Sequence, residues 1–266
     1  MRHGLFLPPF GELADPRLLA ELAAEAEVSG WDGFFLWDHV QYHDGEPVAD
    51  PWVALAAIAA ATSTLRIGPL VTPLSRRRPQ VLARQTATLD QLSDGRLVLG
   101  VGLGGDGRRE LSAFGEETDA RRRAALLDEG LELLQALWTG EEVHHAGPGY
   151  RADGVRFLPR PVQRPRIPIW VGLKWPNRAP LRRAARFDGV FPIELEPADL
   201  PALLDEVRAL RPTDEPFDVV VRGEPGTDPT PWADTGATWW LEAFPSGATA
   251  ADARSSARSG PPRAAG

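Results

Sequence analysis

Eight short apolar runs, each followed by a stretch of different texture, constrain this chain more than any other feature. They are Gly4–Pro8, Gly33–Trp37, Leu65–Thr72, Arg96–Val101, Ile167–Val171, Gly189–Ile193, Phe217–Val221 and Thr238–Glu242. The runs are apolar throughout instead of alternating, which is the pattern of parallel strands covered on both faces. Between them lie helical patterns with legible ends. Asp15 and Pro16 read as N-cap and first helical residue, Leu18, Leu19, Leu22, Ala23 and Ala26 share one face, and Gly30 closes the segment. The same start returns at Asp50–Pro51; Pro79 opens a third helix that ends before Gly95, and a fourth runs from Asp119 to Trp138. Strand and helix alternating in this way predict right-handed βαβ units, and eight strands favour a barrel over an open sheet.

The length of 266 residues suits this reading, because one α/β barrel uses roughly 250. The predicted fold class is a TIM (β/α)8 barrel with two departures from the rhythm. Residues 141–165 are too rich in Gly and Pro for a helix and predict a small hairpin and connector between the fourth and fifth strands. Residues 223–236 hold three prolines and no helical period, so the seventh helix is predicted to be reduced. The expected domain is 1–252, with 253–266 small and polar enough to read as a mobile tail.

Composition excludes several functions. A formal charge of −8 argues against nucleic acid or an anionic membrane as partner. The absence of cysteine removes disulfides, thiolate metal sites and a cysteine nucleophile together. There is no apolar stretch of signal-peptide or membrane-span length, so the expected location is the cytoplasm. His144 and His145 are adjacent and lack ligand spacing, so no metal site is expected.

In a parallel barrel, chemistry gathers where strands end at their C-termini. His39 directly follows the second run and is the strongest catalytic candidate, because imidazole exchanges a proton near neutral pH. A structural histidine bonded to a loop carbonyl is the competing reading, and adjacency does not make Asp38 its partner. Gly100–Gly105 fits the expression G-x-G-x-x-G, yet Asp106–Glu110 follows where a dinucleotide fingerprint needs a helix, so an NAD site is the weaker alternative. Glycines here let a planar ring or phosphate approach the backbone; a plain tight exit is the simpler possibility. The loop of Lys174, Trp175, Asn177 and Arg178 combines cations with a helix start and suits a phosphate, though surface cations are common. Arg76–Arg78 read as a solvated basic turn. Phe217–Val221 and Thr238–Glu242 end at further exits, the latter at Glu242; Trp239 and Trp240 must face opposite sides of their strand.

Four ordered motifs carry a resemblance: WDHV at Trp37–Val40, LARQTATLDQLSDGRLVLGVGLGG at Leu82–Gly105, FLPRPVQRPRIPIWVG at Phe157–Gly172 and RAARFDGVFP at Arg183–Pro192. Together they resemble the luciferase-like monooxygenase family over about residues 4–245. The resemblance implies a barrel that binds FMN or coenzyme F420 and transfers hydride or activates oxygen on a small-molecule substrate. It further implies a homodimer and, for oxygen chemistry, a flavin reductase that supplies reduced cofactor. By position, His39 is the histidine facing the ring, with Trp37 and Asp38 beside it. Thr72 and Pro73 match the third-strand exit behind the ring, where members often carry a backbone bulge. Gly102, Leu103 and Gly104 match the fourth-strand exit beside ring and tail, and Lys174, Trp175, Asn177 and Arg178 the phosphate segment. Asp38 before the histidine favours F420 over FMN. The shortened seventh segment favours hydride transfer over an oxygenated intermediate that needs shielding. An FMN monooxygenase and a non-catalytic cofactor-binding barrel are the alternatives.

Overall fold

In the computed structural model, which describes residues 1–262 except 212 and 214, the apolar runs close into one parallel barrel. In chain order the elements are β1 (Arg2–Leu7), α1 (Pro16–Val28), β2 (Gly33–Leu36), α2 (Pro51–Ala61), β3 (Arg66–Pro69), β4 (Thr72–Pro73), α3 (Pro79–Leu92), β5 (Leu99–Gly102), α4 (Ala120–Trp138), β6 (Glu142–Ala146), β7 (Arg151–Arg156), β8 (Ile169–Leu173), α5 (Arg178–Ala184), β9 (Gly189–Pro192), α6 (Leu200–Leu210), β10 (Asp218–Gly223), α7 (Thr230–Ala233), β11 (Trp239–Ala243) and α8 (Ala250–Ser259). The sheet order is β3-β2-β1-β11-β10-β9-β8-β5-β4. Nine strands rather than eight appear because the third predicted run is split: β3 and β4 flank Leu70 and Val71, whose peptide bond is cis. Closure comes from β3 itself, where the Val98 N–H donates to Ile67 O at 2.8 Å.

The helix starts follow from their caps. Asp15 accepts the Arg17 N–H at 2.8 Å, Asp50 the Val53 N–H at 2.9 Å and Asp119 the Arg122 N–H at 2.8 Å. Each cap satisfies an otherwise orphaned first-turn donor.

Strand alternation sorts the core into two clusters. Phe35, Trp170, Trp239, Val220 and Leu241 fill the barrel interior, with the Trp170 and Trp239 rings 5.5 Å apart and Phe35 edge-on to Trp239. Leu5, Ile67, Leu99, Ile169, Val221 and Trp240 face outward against Leu19, Ile58, Leu82, Leu134 and Leu203 of the helices. Burying each such side chain stabilises the fold by roughly 1.5–3 kcal/mol.

Both predicted departures are present. β6 and β7 pair antiparallel as a hairpin ahead of β8, and α7 is a single four-residue turn. The end of the chain differs from expectation. Residues 253–259, read from sequence as mobile tail, belong to α8, which begins with a Thr249–Asp252 capping box. Its buried Ala253 and Ala257 face α1, Trp31 Nε1 donates to Ala257 O at 3.2 Å, and Arg258 pairs with Glu25. Alanines at i and i+4 bury a helix while leaving little hydrophobic signal in the sequence. The remaining predicted tail, 263–266, lies outside the described residues. Among the described residues, no helix is long and apolar enough to cross a membrane.

Candidate active site at the barrel mouth

The exits of β2, β4 and β5 converge on one ionic network. Asp38, its side chain fully buried, accepts hydrogen bonds from Thr72 Oγ1 at 2.7 Å, Arg76 Nη2 at 2.9 Å and Arg77 Nη2 at 2.8 Å. Arg76 Nη1 also donates to Glu110 Oε1 at 2.9 Å, which the Val40 N–H reaches at 2.9 Å. Glu110 Oε2 then meets His39 Nδ1 at 2.7 Å.

Burial pushes the Glu110 carboxyl up, but the His39 hydrogen bond and charge, the Val40 N–H and the Arg76 charge outweigh it and hold the group below its ordinary value. An ionised carboxylate only accepts, so the proton between Glu110 and His39 resides on Nδ1. In the neutral imidazole, Nε2 is then the acceptor. Phe10, Trp37 and Tyr42 surround the ring with centroids 5.7, 5.9 and 5.1 Å away. Trp37 Nε1 is buried among them without a hydrogen-bond partner.

This arrangement corrects part of the sequence reading. Arg76 and Arg77 do not form a solvated turn; both guanidinium groups bind Asp38, Arg76 binds Glu110 as well, and Arg76 is as buried as Glu110. Asp38 and Thr72 satisfy one another beneath the mouth. The glycines of β5 serve the neighbouring strand: a Cβ on Gly102 would stand 2.5 Å from Val71 Cγ2, and one on Gly104, at φ +69°, 2.8 Å from Pro73 Cβ. Replacing Gly102 therefore strains the fold directly. Leu103 is half-buried between them, whereas Gly105 faces open space.

The predicted phosphate loop sits across the mouth, on the β8 side. Lys174 Nζ pairs with Glu194 at 2.8 Å and Arg178 with Glu206 at 3.1 Å, all four side chains substantially exposed. Asn177 occupies the N-cap position of α5 without a side-chain bond, and half-buried Trp175 borders a cleft of about 460 Å³. Ile193, Glu194, Arg222, Glu224 and Ala243 line the same cleft; His39 does not. Arg222 Nε donates to Ile193 O at 2.8 Å, and burial lowers the guanidinium's pKa against the opposing charge of Glu194. Glu242, a predicted strand exit, instead lies within β11 and faces the barrel's flank.

Sequence reasoning missed Glu110, Arg76, Arg77 and Arg222. Arg222 directly follows the seventh run and was open to the signal that found His39. The other three are brought together only by the closed barrel.

The geometry defines a parallel barrel whose mouth carries a carboxylate-held histidine among aromatic rings. Comparison makes this specific: the profile of the luciferase-like monooxygenases matches residues 1–244, and the chain belongs to that family. It is 38% identical over 213 residues to an F420-dependent glucose-6-phosphate dehydrogenase of Nakamurella multipartita, covering 75% of this chain and 61% of that protein. A protein of the same name from Microbacterium testaceum is 38% identical over 166 residues, covering 60% of this chain and 48% of its own. The chain thus spans about half to three fifths of the length of these curated relatives. Among solved structures, an F420-dependent secondary alcohol dehydrogenase in complex with an F420–acetone adduct superposes with TM-score 0.72 at 22% identity, covering 85% of this chain and 70% of that one. A monooxygenase from Streptomyces bottropensis superposes with TM-score 0.69 at 28% identity, covering 85% and 73%.

Proposed function

We propose that this protein is an oxidoreductase that binds F420, in preference to FMN, at the mouth beside His39 and transfers hydride between it and a small organic substrate. The observation that carries the reading is the His39–Glu110 pair, which leaves a single acceptor nitrogen, Nε2, in a wall of aromatic rings. The residues fit such a cofactor. Tyr42 and Trp37 offer flat apolar surface backed by the buried ring of Phe10, and the buried, unpartnered Trp37 Nε1 is a donor awaiting an acceptor. The names of the curated relatives support F420 over FMN.

When bound, the cofactor supplies the hydride chemistry, and the protein supplies position and proton handling. His39 takes a proton at Nε2 from a substrate hydroxyl, or returns it, while Glu110 holds Nδ1–H and stabilises the imidazolium formed. Arg76 fixes Glu110, and Asp38 fixes Arg76 and Arg77, so the histidine is oriented by a buried chain of charge-assisted bonds. The cleft beside Arg222 leaves the opposite side open to a substrate, and this openness favours hydride transfer over oxygen chemistry that must exclude water.

Fluorescence titration with oxidised and reduced F420 and FMN tests the proposal. Saturable binding of F420, tighter than of FMN, is expected; binding of neither overturns it. His39→Ala should retain cofactor affinity and lose about 10²–10⁴ in turnover of any substrate found. A barrel without activity would show no turnover in either form. The reading extends to a homodimer, for which sedimentation velocity should return twice the monomer mass.

A further inference from the structure

The shortened seventh helix leaves a second cleft, of about 500 Å³, in the outer wall of the barrel. It lies on the flank, away from the mouth, because its floor is made by outward-facing residues. Leu241 and Ala243 point into the barrel interior, so Glu242 between them points out, beside outward-facing His3 of β1. Thr230 and Asp228 form one wall, and Met1 and Pro262 another.

Glu242 is 7% exposed, and its Oε1 is buried with no hydrogen-bond partner. An unpaired buried carboxylate is costly, and native proteins retain one where it has a use. Asp228 brings a second carboxylate to the cleft, held at Oδ1 by the Thr230 N–H at 2.9 Å and its hydroxyl at 2.6 Å. Among the described residues, no lysine or arginine lines the space. Burial, opposed by the charge of Asp32, lowers the pKa of His3, which favours its neutral form. Among the described residues, two carboxylates thus face the cleft with no lysine or arginine side chain beside them. Among the described residues, no group of three or more His, Cys, Asp or Glu is arranged to hold a metal ion, so a compact metal site does not explain Glu242.

From this geometry we infer that the flank cleft is a binding site for a small organic ammonium ion, which donates to Glu242 while its apolar part fills the space left by the reduced helix. The volume is that of a small-molecule site. The site is separate from the barrel mouth and does not depend on the cofactor.

Titration calorimetry on the full chain with cyclohexylammonium, and with cyclohexanol as its neutral isostere, tests the inference. Saturable one-to-one binding of the ammonium is expected, with cyclohexanol silent. Glu242→Gln should weaken it at least 10-fold and leave the thermal midpoint unchanged or higher, since a lone buried charge has been removed. Ala233→Lys, placed on the cleft wall, should supply an ammonium from within, raise the midpoint and abolish binding. The inference is overturned by equal binding of the two probes, by undiminished binding to Glu242→Gln, or by no binding to the unaltered protein. A lowered midpoint in Glu242→Gln would also overturn it, since it would show that the carboxylate already has a partner.

Discussion

The two sides of the barrel mouth are built on opposite principles. On the side of β2, β4 and β5, Asp38, Arg76, Arg77, Glu110 and His39 form a chain of charge-assisted bonds whose closest contacts are 2.7–2.9 Å, and the histidine is its most exposed member. On the side of β8, β9 and β10, the charges are paired one to one on the surface, and a cleft opens between them. Buried pairs are rigid because breaking one strands a charge; exposed pairs exchange partners with water and salt at small cost. Under the proposed function this difference divides the labour: one side would hold the proton-transferring group in place, and the other would admit and release what it acts on.

The strongest way to break this comparison is Asp38→Ala. It removes the buried carboxylate that Arg76 and Arg77 share, and should cost about 3–5 kcal/mol in urea unfolding. A loss below 1 kcal/mol would show that the network is not rigid.

Glu110→Gln sharpens the same point through pH. The folded carboxyl titrates below its ordinary value, so the unfolded chain binds more protons across that window and stability rises with pH there. The advantage of Glu110 over Gln is full above the carboxylate's unfolded pKa and is lost as pH falls through the folded one. At pH 7 the replacement should cost about 1.5–3 kcal/mol, typical of a hydrogen bond to a charged group, and in strong acid the two proteins should converge. A gap that persists unchanged into acid would mean that shape, not charge, does the holding.

Gly102→Ala asks whether the scaffold under the rigid side is equally tight. The new Cβ would lie 2.5 Å from Val71 Cγ2, on a short β-branched side chain that moves only with its backbone. Overpacking of this kind costs about 1–3 kcal/mol, and Val71→Ala in the same chain should recover most of it. Failure of that rescue would place the strain elsewhere.

These residues also show where sequence reading stops. The strands were legible because parallel strands buried on both faces are apolar throughout, and the helices because Asp–Pro starts and glycine ends are local signals. His39 was legible because it follows a strand. Its partner Glu110 stands 71 positions away in a loop and acquires meaning only when the β2 and β5 exits meet. Three consecutive arginines look solvated until a buried aspartate is known to lie above them. Gly102 and Gly104 were marked for a ring or phosphate, whereas a Cβ on them would meet Val71 and Pro73, which no sequence pattern ties to them. In α8 the Thr249–Asp252 capping box was a readable start, overshadowed by a polar composition.

The smallest effect belongs to the open side. Lys174 and Glu194 meet at 2.8 Å, yet their side chains are 58% and 67% exposed, so each keeps most of its hydration and little is lost when the other is removed. Glu194 titrates below its ordinary value because Lys174 donates to it and adds its charge, with slight burial opposing. That pairing is screened by salt. A double-mutant cycle of Lys174→Ala and Glu194→Ala should give additive thermal midpoints at high salt, and at most a slight coupling at low salt. The same cycle on Arg76 and Glu110 should stay non-additive at both. If the Lys174–Glu194 coupling survived high salt, the β8 side would be held as firmly as the β5 side, and substrate entry would have to be sought elsewhere on the barrel.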